Sequence, residues 1–280
     1  MIVFASPVEQ HPYIQSNMTL GMTNISSNFP STNLFTYDPT NVAKTTANNT
    51  VITLDLGMAR WVSIISLMYS NVGPRATIKV EGSLDNTNFI TVENGPFWAN
   101  LATVAAAGPY AEDADPRKGS LPRNHSFWYA GAGVENSFRY IRISVADPDV
   151  ASLSFGRLFI GRAFRPKVSY QYGSGFKFED SGRRERTDQG ALILDPGKSI
   201  VLASVKLDFL STNEMYDYIW EFNYWRGSCR EFFCCLDTTN TPASVARLQK
   251  NLLYCTITDG RNIDSASFEA WSQTWILESF

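Results

Sequence analysis

Four thiols and a few scattered acids are the groups in this sequence with the most obvious chemistry. Cys229, Cys234, Cys235 and Cys255 all fall in one short stretch of the second half. Four thiolates could hold zinc or an iron–sulfur cluster. Two features favour buried free cysteines instead. Adjacent residues of a strand face opposite sides, so Cys234 and Cys235 cannot readily ligate one ion without a bulge. The Cys-x2-Cys knuckle is also missing. Glu112, Asp113 and Asp115 could form an acidic pair or a weak calcium site. In a segment rich in Ala, Gly and Pro, they read more simply as solubilising charges.

Signals for catalysis are poor. The two histidines, His11 and His125, show no metal-binding His-x3-His spacing. Ser174 sits between Gly173 and Gly175 without the flanks of a nucleophile elbow, and no phosphate loop or dinucleotide fingerprint occurs. A glycosidase needs two opposed carboxylates, which sequence alone cannot place across a cleft. The expectation is a non-enzyme with no cofactor.

These residues must be positioned by strands. Thr77-Ile78-Lys79-Val80-Glu81-Gly82 and Phe138 to Val145 alternate apolar and polar residues, as half-buried strands do. Val51 to Leu56 alternates over its later part. The run Trp61 to Tyr69 is β-branched and aromatic, and predicts one strand buried on both faces. Asn71-Val72-Gly73-Pro74, Ser83-Leu84-Asp85-Asn86 and Asp147-Pro148-Asp149 are turn chemistry. Asp55 and Gly57 predict a tight strand exit. Residues 94–137 read as a long connection carrying Trp98 and Trp128, and long connections are often binding loops.

The chain has a boundary at Phe164-Arg165-Pro166. Beyond it, Gly173-Ser174-Gly175 and the charged stretch Asp180 to Asp188 read as exposed loop. Strands are predicted at 191–194, 199–209, 229–236, 252–258 and 270–278. Helical spacing predicts one short helix over 212–225, with Met215, Ile219, Phe222 and Trp225 on one face. Thr212 or Asn213 is its N-cap and Gly227 its stop. A further helical turn is expected from Thr241 to Leu248. Tyr216, Tyr218, Trp220, Tyr224 and Trp225 are too many large aromatics for one short helix to bury alone, so either the core or another subunit must take them.

With 280 residues the chain has room for two domains. A hydrophobic content of 44% and a charged content of 18% can support a core in each. The net charge of −3 argues against non-specific nucleic-acid binding. No run of apolar residues is long enough to span a membrane. The N-terminus lacks a charged n-region, which predicts synthesis in a cytoplasm without a secretion signal.

In order, Asp55-Leu56-Gly57, Ser83-Leu84-Asp85 and Arg139-Tyr140-Ile141-Arg142 resemble the galactose-binding-like jelly roll of discoidin and coagulation-factor C-type domains. The resemblance covers roughly 30–162. It implies a sandwich whose loops at one end hold a sugar or protein ligand, with Tyr37, Asp38, Arg75, Trp98 and Trp128 as contacts. The alternative is that the tryptophans pack over the sandwich edge and Asp38 caps a turn.

The second half resembles the C-terminal part of distal or minor tail proteins of long-tailed bacteriophages. That resemblance rests on Leu158 to Pro166, Tyr172 to Phe176 and Trp271 to Glu278. It implies a tail-tube-like β-sandwich joined in a ring, usually six-fold, beneath the tube, with tail tube and hub proteins as partners and the virion tail as location. The mixed charges of Glu179 to Asp188 then suit either a neighbouring subunit or plain solvent.

The sequence therefore predicts an all-β chain in three parts: an N-terminal arm and first strand over 1–29, a galactose-binding-like sandwich over 30–163 and a tail-tube-like domain over 164–280. Its expected role is a virion structural protein displaying a carbohydrate-binding-like domain, with a host-surface glycan as a possible further partner. The rivals are a stand-alone lectin-like module and a tail-associated glycan-degrading enzyme.

Overall fold

A computed structural model describes residues 2–95, 124–130, 136–169, 173–238 and 251–279, apart from single positions within those ranges and the pair 268–269. Trp98, Glu112, Asp113, Asp115, His11 and the expected helical turn at 241–248 lie outside the described residues.

The fold is all-β. Its backbone is a ten-stranded antiparallel sheet. From one edge it runs Gly175–Asp180, Ser199–Leu210, Ala270–Ser279, Leu252–Asp259, Phe232–Cys235, Val3–Pro7, Arg157–Phe164, Ile64–Ser70 and Asn124–Tyr129, with Ile263–Ser267 added against Ala270–Ser279. The N-terminal strand is thus central, pairing with Arg157–Phe164 on one side and Phe232–Cys235 on the other. It joins the two halves of the chain in one sheet.

Both faces of the middle of that sheet are covered. On one side a five-stranded sheet, ordered Thr19–Met22, Asn49–Val62, Asn136–Ala146, Thr77–Ser83 and Ile90–Gly95, closes a sandwich. Its inward residues Ile52, Leu54, Ile78, Val80, Ile141, Ile143 and Val145 share a core with Leu67, Phe159 and Phe233. On the other side helix 212–226 lies over a second core built from Phe4, Val205, Phe232, Cys234, Ile257, Trp275 and Leu277. Successive residues of the central strands go to different cores: Phe4 and Phe232 to the second, Val3, Ala5 and Phe233 to the first. Such strands read as continuous apolar runs because both faces are buried.

Several predicted elements are corrected. Strand Asn49–Val62 does not exit at Gly57. It continues over a bulge, the residues between Asp55 and Arg60 having only Arg139 opposite them. Gly57, at φ +74°, supplies the left-handed conformation the bulge needs. The Trp61–Tyr69 run is two strands. Trp61 is the last residue but one of the first and is 51% exposed, whereas Ile64–Ser70 is buried throughout. Trp128 lies inside a strand, not in a loop. Gly175–Asp180 and Arg183–Arg186 are strands where a loop is expected, both exposed along their whole length.

Helix 212–226 forms where the spacing places it, and Gly227 ends it at φ +56°. Its N-cap is Ser211 rather than Thr212 or Asn213. The Ser211 hydroxyl accepts from the Glu214 backbone, and the Glu214 side chain answers to the Ser211 backbone N–H, a capping box. Met215 and Ile219 are buried as the spacing requires, but Arg226 turns inward in place of Trp225, which is 57% exposed. A short helix at Pro12–Asn17 is additional to the sequence reading.

Candidate functional site: the loop end of the sandwich

One end of the sandwich gathers its irregular segments, and side chains hold each in shape. Asp147 accepts from the Gly73 backbone at 2.6 Å, and Asn71 donates to Ser152 O at 2.9 Å while accepting from Ser154 N at 2.8 Å. Arg75 donates to Asp149 at 2.8 Å. Asp38 accepts from the Thr40 backbone at 2.9 Å and from the Thr40 hydroxyl at 2.6 Å. The loop carrying Asp38 reaches the same end, where the Pro39 carbonyl approaches Gly156 so closely that a Cβ there would lie 2.6 Å from it. Gly95 pairs with Ile78 and Asn124 with Ser70, so the chain leaves one strand and enters the other at this end too.

On the outer face of the five-stranded sheet, beside these loops, is an open depression of about 290 Å³. Thr23, Asn24, Asn49, Thr77, Lys79 and Ser144 line it together with the apolar Val51, Val145 and Ala146. Asn24, at φ +54°, donates to the Asn49 carbonyl and to its side-chain oxygen, both at 3.0 Å. Lys79 pairs with Glu81 at 2.6 Å, and Glu81 accepts from Arg142 at 2.8 Å. The Arg142 hydrogen bond, assisted by Lys79, outweighs burial and holds the Glu81 carboxyl below the usual range. Arg139 grips Asp55 through two bonds at 2.9 and 3.0 Å and lowers that carboxyl likewise.

The structure brings Tyr37, Asp38 and Arg75 to this one end. Tyr37 is 69% exposed, while the polar atoms of Asp38 and Arg75 already serve the turn and the Asp149 pair. Trp128 is corrected as a contact residue, because it is 5% exposed within the sandwich core and presents no ring face to a ligand. His125 is also buried. Its Nδ1 accepts from the Tyr69 backbone at 3.2 Å, edge-on to the Tyr69 ring. Sequence reasoning missed Asn24, Asn49, Thr77 and Ser144, since single polar residues on strand ends carry no motif.

The cysteines do not converge. Cys234 and Cys255 face the second core, Cys235 faces the first, and Cys229 is exposed. Burial pushes the Cys235 thiol up to about 12, and those of Cys234 and Cys255 well above the ordinary thiol range.

A buried cluster of charges forms a structural clamp next to Gly156, where Arg157 also donates to the Leu34 carbonyl at 3.4 Å. Buried Arg157 bonds Glu9, reaches Glu231 at 3.4 Å and lies over the Tyr254 ring at 5.5 Å. Arg226 bonds Gln10 and the Glu231 carbonyl, the latter at 3.1 Å. Burial raises the Glu9 carboxyl against the pull of Arg157, and lowers Arg226 to about 10. The cluster ties the N-terminal segment to both halves.

No protein-family model and no curated protein matches the chain. Among solved structures, the module CpGH89CBM32-6 of Clostridium perfringens aligns at 13% identity and a TM-score of 0.38, over 56% of this chain and 99% of the module. The family 32 carbohydrate-binding module of C. perfringens NanJ, solved with galactose, aligns at 15% identity and 0.39, over 57% of this chain and 99% of the module. A Ruminococcus gnavus family 29 fucosidase, solved with fucose, aligns at 11% identity and 0.41, over 57% of this chain and only 27% of the enzyme. All three scores lie below 0.5, so what the loop end binds must be argued from its own residues.

Proposed function

We propose that the first sandwich is a non-catalytic carbohydrate-binding module that takes a neutral glycan at its loop end. The carrying observation is the depression of about 290 Å³, in which the hydroxyls and amides of Thr23, Asn24, Asn49, Thr77 and Ser144 are set among the apolar groups of Val51, Val145 and Ala146. Such groups both donate and accept, which suits the hydroxyls of a sugar. The one lysine of the lining is tied to Glu81, a carboxylate it shares with Arg142. The galactose-binding-like residues of 30–162 support the same reading. Its test is binding of the full chain to an array of neutral glycans. Ser144→Phe, which fills the depression, should abolish the signal with little change in Tm. A silent array, or unchanged binding by the variant, defeats the reading, and reducing-sugar release from a bound glycan would favour the hydrolase instead.

A second reading places the chain in the tail tip of a long-tailed phage, as a ring-forming virion protein that displays this module and meets tube and hub proteins. It is supported by an uncovered arm. Strand Gly175–Asp180 and the hairpin Arg183–Arg186 with Leu192–Asp195 expose Phe176, Phe178, Leu192, Ile193 and Leu194. An exposed edge and an isolated hairpin are marginal in water without a covering surface. Light scattering across a concentration series decides: a closed oligomer supports the ring, and a monomer at all concentrations counts against it.

A further inference from the structure

Helix 212–226 leaves a groove of about 320 Å³ between itself and the strands Val3–Pro7 and Arg157–Phe164. That volume is near the lower end of small-molecule sites, roughly 300–1,000 Å³. Tyr218, Phe222 and Trp225 stand on the helix side. Tyr218 stacks on Phe164, with centroids 4.6 Å apart and planes at 15°. The Trp225 indole N–H donates to Glu221 at 2.7 Å, which fixes a ring that remains 57% exposed. Asp217 also lines the helix side, and Arg162 lines the strand side. The helix is irregular here, because Met215–Trp220 is a π-helix. Such segments are rare and recur at functional sites.

We infer that this groove is a second binding site, for a neutral saccharide, separate from the loop end. Rigid exposed rings meet the apolar C–H faces of a pyranose. A carboxylate can take two adjacent hydroxyls. The charges balance, Asp217 and Glu221 against Arg162 and Arg226, so neither an anion nor a cation is favoured. Arg226 is already committed to Gln10 and Glu231, so Asp217 and Glu221 supply the polar contacts.

The test uses the full chain in the Ser144→Phe background, where the loop end is blocked. Galactose, glucose and N-acetylglucosamine are titrated while tryptophan emission and saturation-transfer NMR are recorded. A saturable response to at least one sugar is expected. Trp225→Ala and Asp217→Ala, both surface changes, should each weaken it by roughly tenfold at unchanged Tm. No response to any of the three sugars overturns the inference, as does binding undiminished in both variants. It is equally overturned if Trp225→Ala changes the molar mass by light scattering and leaves sugar affinity alone, since the groove is then a subunit contact. Failure of the loop-end reading shows separately, as array binding that Ser144→Phe does not reduce.

Discussion

At the scale of single residues, alternation along a strand decides the fate of the thiols. Cys234 and Cys235 are neighbours, so each enters a different core, and this much was legible from their adjacency. The exposure of Cys229 was not, because it depends on where strand Phe232–Cys235 begins. Since the thiolate is the reactive species, burial that raises a thiol also silences it. A thiol reagent should therefore modify Cys229 alone in the native protein and all four cysteines after unfolding. A second fast-reacting thiol in the native state would contradict the burial. The Glu9–Arg157 pair was invisible in sequence, as its members lie far apart in the chain and join only when the N-terminal strand enters the sheet. Removing one member strands a buried charge, so Glu9→Ala should cost about 3–5 kcal/mol in urea unfolding. Glu9 and Asp55 act oppositely with pH. Asp55 is depressed, so its contribution is present above about pH 4 and is lost as pH falls through its lowered value. Glu9 is raised, so its contribution is present in acid and lost as pH rises through its raised value. Asp55→Asn should accordingly make the urea midpoint fall less steeply between neutral pH and pH 3 than it does in the wild type.

At the scale of elements, the helix shows how a local signal can be present and still be passed over. Ser211-Thr212-Asn213-Glu214 is the S-x-x-E pattern of a capping box, and it lies one residue before the expected cap. Ser211→Ala should cost about 1 kcal/mol in the urea midpoint, whereas Thr212→Ala, whose hydroxyl has only a 3.4 Å contact from Trp271, should cost less. Equal costs would place the cap at Thr212. The break at Ser63 had no such signal. Trp61 and Ile64 are both strand formers, and only the partner strands, Asn136–Ala146 for one and Arg157–Phe164 for the other, separate them into two sheets. The strands from Gly175 to Arg186 escaped for a different reason: Arg183–Arg186 carries no apolar residue, and the alternation of Phe176 and Phe178 with Lys177 and Glu179 is too short to stand out between glycines and charges.

At the scale of the whole molecule, strand Val3–Pro7 decides whether the chain behaves as one unit. Ile2 and Phe4 enter the core beneath the helix, while Val3 and Ala5 enter the core of the sandwich. Phe4 meets Trp275 edge-on at 4.9 Å, and the carboxylate of Glu9, just beyond the strand, is held by Arg157. A stretch of ten residues thus completes both cores and the ladder between them. Composition showed that the chain could fill two cores, and the alternating runs showed that strands would fill them. Neither could show that the first strand would be shared, since pairing across more than 200 positions, as between Phe4 and Cys234, leaves no local mark. If the two cores depend on this strand, heat should unfold the full chain in a single transition, with calorimetric and van't Hoff enthalpies equal. Deleting residues 1–10 should then remove the near-ultraviolet circular dichroism of the aromatics in both halves together, because each half loses an inner strand and exposes a ladder edge. Two resolved transitions in the full chain, or a truncated chain that keeps a native near-ultraviolet spectrum from one half, would mean that the halves fold independently and that the strand only bridges them.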